Sequence, residues 1–138
     1  MSITEDGISG EKIARLILKK HHFYLFGGDW IIQSKIGNYY LVEVKHKEMF
    51  SKMWNGKQTA PFDGQGLDLK QILARQEFQT KTGIRTVFLV IDKITKKVYW
   101  NFLDTLYTGE KFQTRNKVVI FPLTNYLNED ELEGLHEC

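Results

Sequence analysis

The sequence predicts an α/β protein with a central mixed β-sheet flanked by helices, on three observations. "LDLKQILARQEFQTKTG" is an amphipathic helical pattern ending at Gly83, and it stands between two groups of β-rich runs. "RTVFLVID", residues 85–92, carries a continuous apolar stretch, the mark of a strand buried on both faces. "DWIIQSK" and "YYLVEVKHK" flank "IGN" in the manner of a β-hairpin.

Taken in order, "SGEKIARLILKKHHF" places Ser9 as an N-cap and Ile13, Leu16, Ile17 and Lys20 at helical spacing, which predicts a helix from about Gly10 to Lys20. "FYLF" reads as a short strand before Gly27 and Gly28, and the hairpin follows. Residues 48–66 have no clean period and contain four Gly or Pro residues, so they read as a long loop, a feature often tied to function. The next helix sets Leu69, Ile72, Leu73 and Gln76 on one side. "KVYWNFLDTL" reads as a strand after the turn "KITK", and "KVVIFPL" as the last strand. The predicted order is α-β-β-β-α-β with additional C-terminal strands. No repeat or boundary divides it, so residues 1–138 read as a single domain with an acidic C-terminal tail at about 128–138.

Composition excludes several classes. Hydrophobic residues make up 42% of the chain and 18 residues are aromatic, which rules out a disordered or collagenous sequence. The only cysteine is Cys138, so the chain holds neither an internal disulfide framework nor a cysteine-based zinc site. The histidines His21, His22 and His46 lack finger spacing. No apolar run nears membrane-spanning length and "MSITEDGISGEK" is not signal-like, so a cytoplasmic setting is expected. The net charge of +2 conceals an asymmetry: residues 128–138 carry five acids and no Lys or Arg, leaving 19 bases against 12 acids in residues 1–127. A basic body suits a polyanionic partner, although a solvated surface explains many such excesses.

The chemistry gathers on the second hairpin strand. Glu43 and Lys45 lie two residues apart and so share a face, while Val42 and Val44 take the other. Asp29, at the start of the preceding strand, is a candidate second carboxylate. Two carboxylates with waters and phosphate oxygens suit Mg²⁺, and the Val44 carbonyl can add an oxygen. Lys45 would then hold the attacking water and offset developing charge. A plainer account makes Glu43 and Lys45 an exposed ion pair worth under ~1 kcal/mol. Likewise, Asp29 could be only a turn residue.

Asp29 followed by Glu43-Val44-Lys45 resembles the motif of the PD-(D/E)XK nuclease superfamily, with Gly28 where that motif has proline. Residues 10–92 are most similar to Holliday-junction-resolvase-type members. The resemblance implies a restriction-endonuclease-like core acting as a Mg²⁺-dependent endonuclease on DNA, with Mn²⁺ as a substitute. Glu11 matches the helical glutamate that supports metal or water, and Gln71 the helical glutamine facing the site. Taken alone, Glu11 also suits the helix dipole and Gln71 a boundary position. A resolvase-like activity implies branched DNA and a homodimer. Other repair, phage or restriction-type nucleases, or an inactive nucleic-acid-binding module, are the alternatives. Lys47, Lys52 and Lys57, interleaved with Phe50, Trp54 and Phe62, suit DNA contact; they equally suit a subunit interface or a self-packed loop.

Register decides whether Asp29 and Glu43 can cooperate, because a one-residue slip sends every side chain of a strand to the other face. A two-residue Gly37-Asn38 turn would separate the two carboxylates. A three-residue loop, Ile36 to Asn38, would put Ile31 opposite Glu43 and Asp29 opposite Lys45. The odd-length loop is therefore the expectation.

Overall fold

The computed structural model of the chain describes residues 3–26 and 30–137, with side chains described from Gly10 onward except that of Trp54. Helix α1 (Ile3–Lys20) leads into strands β1 (Tyr24–Leu25), β2 (Ile31–Gln33) and β3 (Tyr39–Lys47). A ribbon of β4 (Met53–Trp54) and β5 (Lys57–Gln58) follows, then β6 (Gly64–Asp68), helix α2 (Leu69–Thr82) and β7 (Arg85–Asp92). Next come β8 (Val98–Phe102), the short helix α3 (Leu103–Thr108), β9 (Phe112–Gln113), β10 (Val118–Pro122) and β11 (Leu127–Asn128). Short 3-10 segments span Leu123–Asn125 and Glu129–His136.

The central sheet has six strands in the order β1-β2-β3-β7-β8-β11. Its only parallel pair among the described strands is β3 with β7, from Tyr40–Arg85 to Lys47–Asp92; the others are antiparallel. A parallel pair needs a crossover, and β4 to α2 supply it. One face buries Val42, Val87 and Leu89 against Ala14 and Leu18 of α1 and against Leu132 and Leu135 of the C-terminal 3-10 segment. The other buries Phe88 and Val90 against Ile72 of α2, Leu103 and Leu106 of α3, and Leu67 and Phe121 of a second, three-stranded sheet, β6-β10-β9. β7 lies in the middle with every residue from Thr86 to Asp92 buried, as its apolar run predicts.

Several expectations are corrected. Helix α1 starts at Ile3, so Ser9 and Gly10 lie within it. Glycine is weak inside helices, but a Cβ at Gly10 would sit 2.7 Å from His46 Cβ, and its absence lets α1 approach β3. The stretch 48–66 is not a structureless loop: Asn55 and Gly56 both take positive φ, 52° and 76°, and close the β4-β5 ribbon, while β6 begins at Gly64. The run "KVYWNFLDTL" is a strand only to Phe102 and then turns into α3, which buries Leu103 and Leu106. On α2, Leu73 is exposed; the buried side follows Ile72, and Gly83 caps the helix at φ 75°.

The acidic C-terminal stretch is a packed element and not a tail. β11 extends the sheet beside β8, and the following segment buries Leu132, Leu135 and His136. A capping box links Asn128 and Glu131, with Asn128 N donating to Glu131 Oε2 at 2.7 Å. Buried His21 bridges the segment to α1, its Nε2 2.7 Å from Glu129 and its Nδ1 2.5 Å from Glu133. Burial opposes charge on the ring, but the two carboxylate hydrogen bonds outweigh it and raise the His21 pKa.

Candidate functional site

The hairpin geometry comes first because it sets the faces. Ser34 N donates to Asn38 O at 2.9 Å and Gly37 N to Ser34 O at 3.0 Å, leaving the three-residue loop Lys35–Gly37. Gly37 takes the left-handed position at φ 93°. The loop is odd-length as expected, but it lies one residue earlier than Ile36–Asn38. Ile31 therefore opposes Leu41, not Glu43, in a ladder that continues through Ile32–Tyr40 and Gln33–Tyr39. At its other end Val42 N donates to Trp30 O at 2.7 Å. Asp29 lies outside the described residues.

Glu43 and Lys45 share a face of β3, next to Phe88 and Val90 of β7 and under α2. Both are partly buried. Arg75, projecting from α2, donates from Nε to Glu43 Oε1 at 2.9 Å. Glu43 is thus not an exposed residue paired with a strand neighbour; its partner comes from a helix 32 positions later. Lys45 is shielded from water, which lowers its pKa; the Asp68 and Glu43 carboxylates pull it up, and Lys47 pushes it down. Asp68 ends β6 directly before α2 and makes no side-chain cap to that helix. Because Val42 N is directed at β2, the alternation of the strand also directs the Val44 carbonyl to that edge, beyond Trp30.

The remaining expected residues are spread wider. Gln71 is exposed on α2, whereas Arg75, one turn later, reaches Glu43. Glu11 is exposed on α1, which packs on the face opposite Glu43 and Lys45, next to the Gly10–His46 contact. Both His46 ring nitrogens are buried without a hydrogen-bond partner among the described residues. Lys47 ends β3 in solvent. Lys52 and Lys57 are exposed on the ribbon, Lys52 N being held by Asp63 Oδ1 at 2.7 Å. Trp54 belongs to β4, with its side chain outside the described residues.

Arg75 and Asp68 were missed by sequence reasoning. Arg75 stands at i+3 from buried Ile72, a spacing that could have marked it as sheet-facing. Asp68 reads locally as a helix cap, and nothing local separates that from its electrostatic pull on Lys45.

Oxygen donors and the Glu43 carboxylate fit a hard cation, which binds through one or two carboxylates and keeps part of its water shell. Among the described residues no cluster of three or more His, Cys, Asp or Glu could hold a metal, so Glu43 and the Val44 carbonyl form at most part of a coordination sphere.

No family model and no curated protein matches the chain. Among solved structures the chain is similar to Hjc, a Holliday junction resolvase from the archaeal hyperthermophile Archaeoglobus fulgidus, with a TM-score of 0.63 over 93% of this chain and 95% of that one, at 13% identity. The mixed sheet with helices on both faces is that of a restriction-endonuclease-like fold.

Proposed function

We propose that the chain is a Mg²⁺-dependent endonuclease that hydrolyses DNA phosphodiester bonds, directed by DNA structure in the manner of a junction resolvase. The observation that carries this reading is the shared, partly buried face of Glu43 and Lys45 on the central strand of a resolvase-like fold. Glu43, the Val44 carbonyl and Asp29 would hold the ion. The odd length of the hairpin loop supports this reading. Bound there, Mg²⁺ would supply charge neutralisation at the phosphate and a more acidic water.

The chain's own residues then divide the work. Lys45, desolvated and flanked by Glu43 and Asp68, orients the attacking water and offsets charge that builds on the phosphoryl oxygens. The water forms the new P–O bond as the sugar-side oxygen leaves with a proton. Glu11 and Gln71, both exposed, and Glu11 on a helix that packs on the opposite face of the sheet, are left out of this set. Lys47, Lys52, Lys57 and Trp54 contact the DNA backbone and bases. A homodimer would place two such sites on opposed strands of a junction. Among the described helices none is long and apolar enough to cross a membrane.

One observation favours a second reading. The guanidinium of Arg75 already neutralises Glu43, as a binding module without catalysis would allow. Mg²⁺-dependent cleavage of branched, duplex and single-stranded oligonucleotides separates the two. Lys45→Ala is expected to abolish cleavage while leaving DNA affinity nearly intact. Near-normal turnover in that variant removes Lys45 from the mechanism, and no cleavage by the unmodified protein with Mg²⁺ or Mn²⁺ rejects the nuclease reading.

A further inference from the structure

At the C-terminal end of β3 lies a groove of about 980 Å³. One wall is the chain leaving β3, with Lys47, Met49 and Phe50; the other is the β7–β8 turn, with Lys93, Ile94 and Lys96. The volume is at the upper end of the ~300–1,000 Å³ range of ligand pockets. The hydrogen bond from Lys93 N to Lys47 O, 3.2 Å, ties the two walls together at the base.

Its chemistry is divided in a particular way. Phe50 is 41% exposed and Ile94 67%, large apolar surfaces that face solvent. Around them stand three lysines against the single carboxylate of Glu48. The Lys96 ammonium makes one bond to Lys93 O at 2.9 Å and keeps two N–H groups for other acceptors. Apolar side chains on both walls, with lysines beside them, suit a planar base attached to a phosphate. A base inside a duplex cannot enter between such walls, because both of its faces are stacked.

We infer that this groove holds an unpaired nucleotide of the DNA, its base stacked on Phe50 against Ile94 and its phosphates on Lys47, Lys93 and Lys96. The inference rests on the DNA nuclease reading and sharpens it: the substrate is DNA with an unpaired strand next to the cut, not uniform duplex. Lys47 is two residues from Lys45, a separation of roughly 7 Å along an extended strand, so the nucleotide in the groove adjoins the scissile phosphate.

The test uses the full chain in EDTA, where binding is read without cleavage. Two probes of equal duplex length are compared by fluorescence anisotropy: a blunt duplex, and the same duplex bearing a short oligo-dT arm with 2-aminopurine at the branch. The unmodified protein is expected to bind the armed probe at least about fivefold more tightly, as one stacked base provides, and to quench the 2-aminopurine. Phe50→Ala is expected to lose both the preference and the quenching while retaining its duplex affinity. Phe50→Trp is expected to keep both, which guards against a folding defect as the cause. Equal affinity for the two probes, or an unchanged preference in Phe50→Ala, overturns the inference; so does a change of oligomeric state in Phe50→Ala, which would mark the groove as a contact between copies of the chain. Cleavage of the armed probe with Mg²⁺ but no quenching rejects the groove and keeps the nuclease reading. Quenching and preference with no cleavage of any probe keep the groove and reject the nuclease reading.

Discussion

Replacing Arg75 by methionine removes the guanidinium from Glu43 and keeps a side chain of similar reach. The pair is one hydrogen bond of 2.9 Å, with the Arg75 side chain 35% exposed and that of Glu43 16% exposed. Hydrogen bonds to charged groups contribute about 1.5–3 kcal/mol net. A single, non-bidentate bond with a partner a third exposed falls at the lower end, so the loss is roughly 1–2 kcal/mol. In a chain of 138 residues that lowers Tm by roughly 3–7 °C in EDTA. If Glu43 is a metal ligand, Mg²⁺ occupies the charge position the guanidinium has left, and an ion at a hundred times its Kd stabilises by about 2.7 kcal/mol. The variant should then gain more from Mg²⁺ than the unmodified protein does, recovering most of the deficit. Thermal unfolding at constant ionic strength, in EDTA and across a Mg²⁺ titration, reads both quantities. An unchanged Tm in EDTA would show that the ion pair contributes nothing. A lowered Tm with no extra gain from Mg²⁺ would sink Glu43 as a ligand.

Three further outcomes are expected. Gly66→Ala would place a Cβ 1.8 Å from the Val119 carbonyl oxygen and 2.7 Å from Ile120 Cα, forcing β6 and β10 apart; a loss of about 3 kcal/mol or more, seen as a large drop in Tm, is expected, and a drop of only a degree or two would contradict the close strand approach. The His21 bridge gives a pH window: the raised His21 pKa contributes stability that is complete below 6.5 and lost as pH rises through its folded value, while the lowered pKa values of Glu129 and Glu133, set first by their hydrogen bonds with His21, contribute stability that is complete above 4.5 and lost in acid. Amide-exchange protection of residues 129–136 should accordingly peak between those values and flatten in His21→Gln; an identical profile in that variant would mean the bridge does not hold the segment. Changing Lys47, Lys52 and Lys57 to Ala should flatten the salt dependence of DNA binding by about 0.9 in log–log slope for each duplex phosphate that is no longer neutralised, and an unchanged slope would take the ribbon off the DNA backbone.

Local pattern carried much of the architecture. The short, unbroken apolar run of β7, rich in β-branched residues, marked a strand buried on both faces, and Gly83 marked the end of α2. The two-residue period placed Glu43 and Lys45 on one face without reference to anything distant. Even the odd length of the hairpin loop was legible, since Gly37 suits a left-handed position, although the loop lies one residue earlier than expected. Where local pattern misled, a distant partner had outweighed it. Gly10 belongs inside α1 because His46 lies against it, and the acids of 129–137 belong to a packed segment because Leu132 and Leu135 reach the sheet and His21 bridges Glu129 and Glu133.

Periodicity along the chain states which residues share a face; it does not state which element will cover that face. Local pattern therefore sufficed for the α/β class, the central strands and the common face of Glu43 and Lys45. The folded chain alone brings Arg75 to Glu43, lets the Asp68 carboxylate act on the charge of Lys45, and sets the β7–β8 turn across a groove from Phe50. In each case the partners lie more than twenty residues apart in the chain. Their meeting follows from the β3–β7 crossover and the packing of α2 on the sheet, both of which depend on burying one shared apolar core.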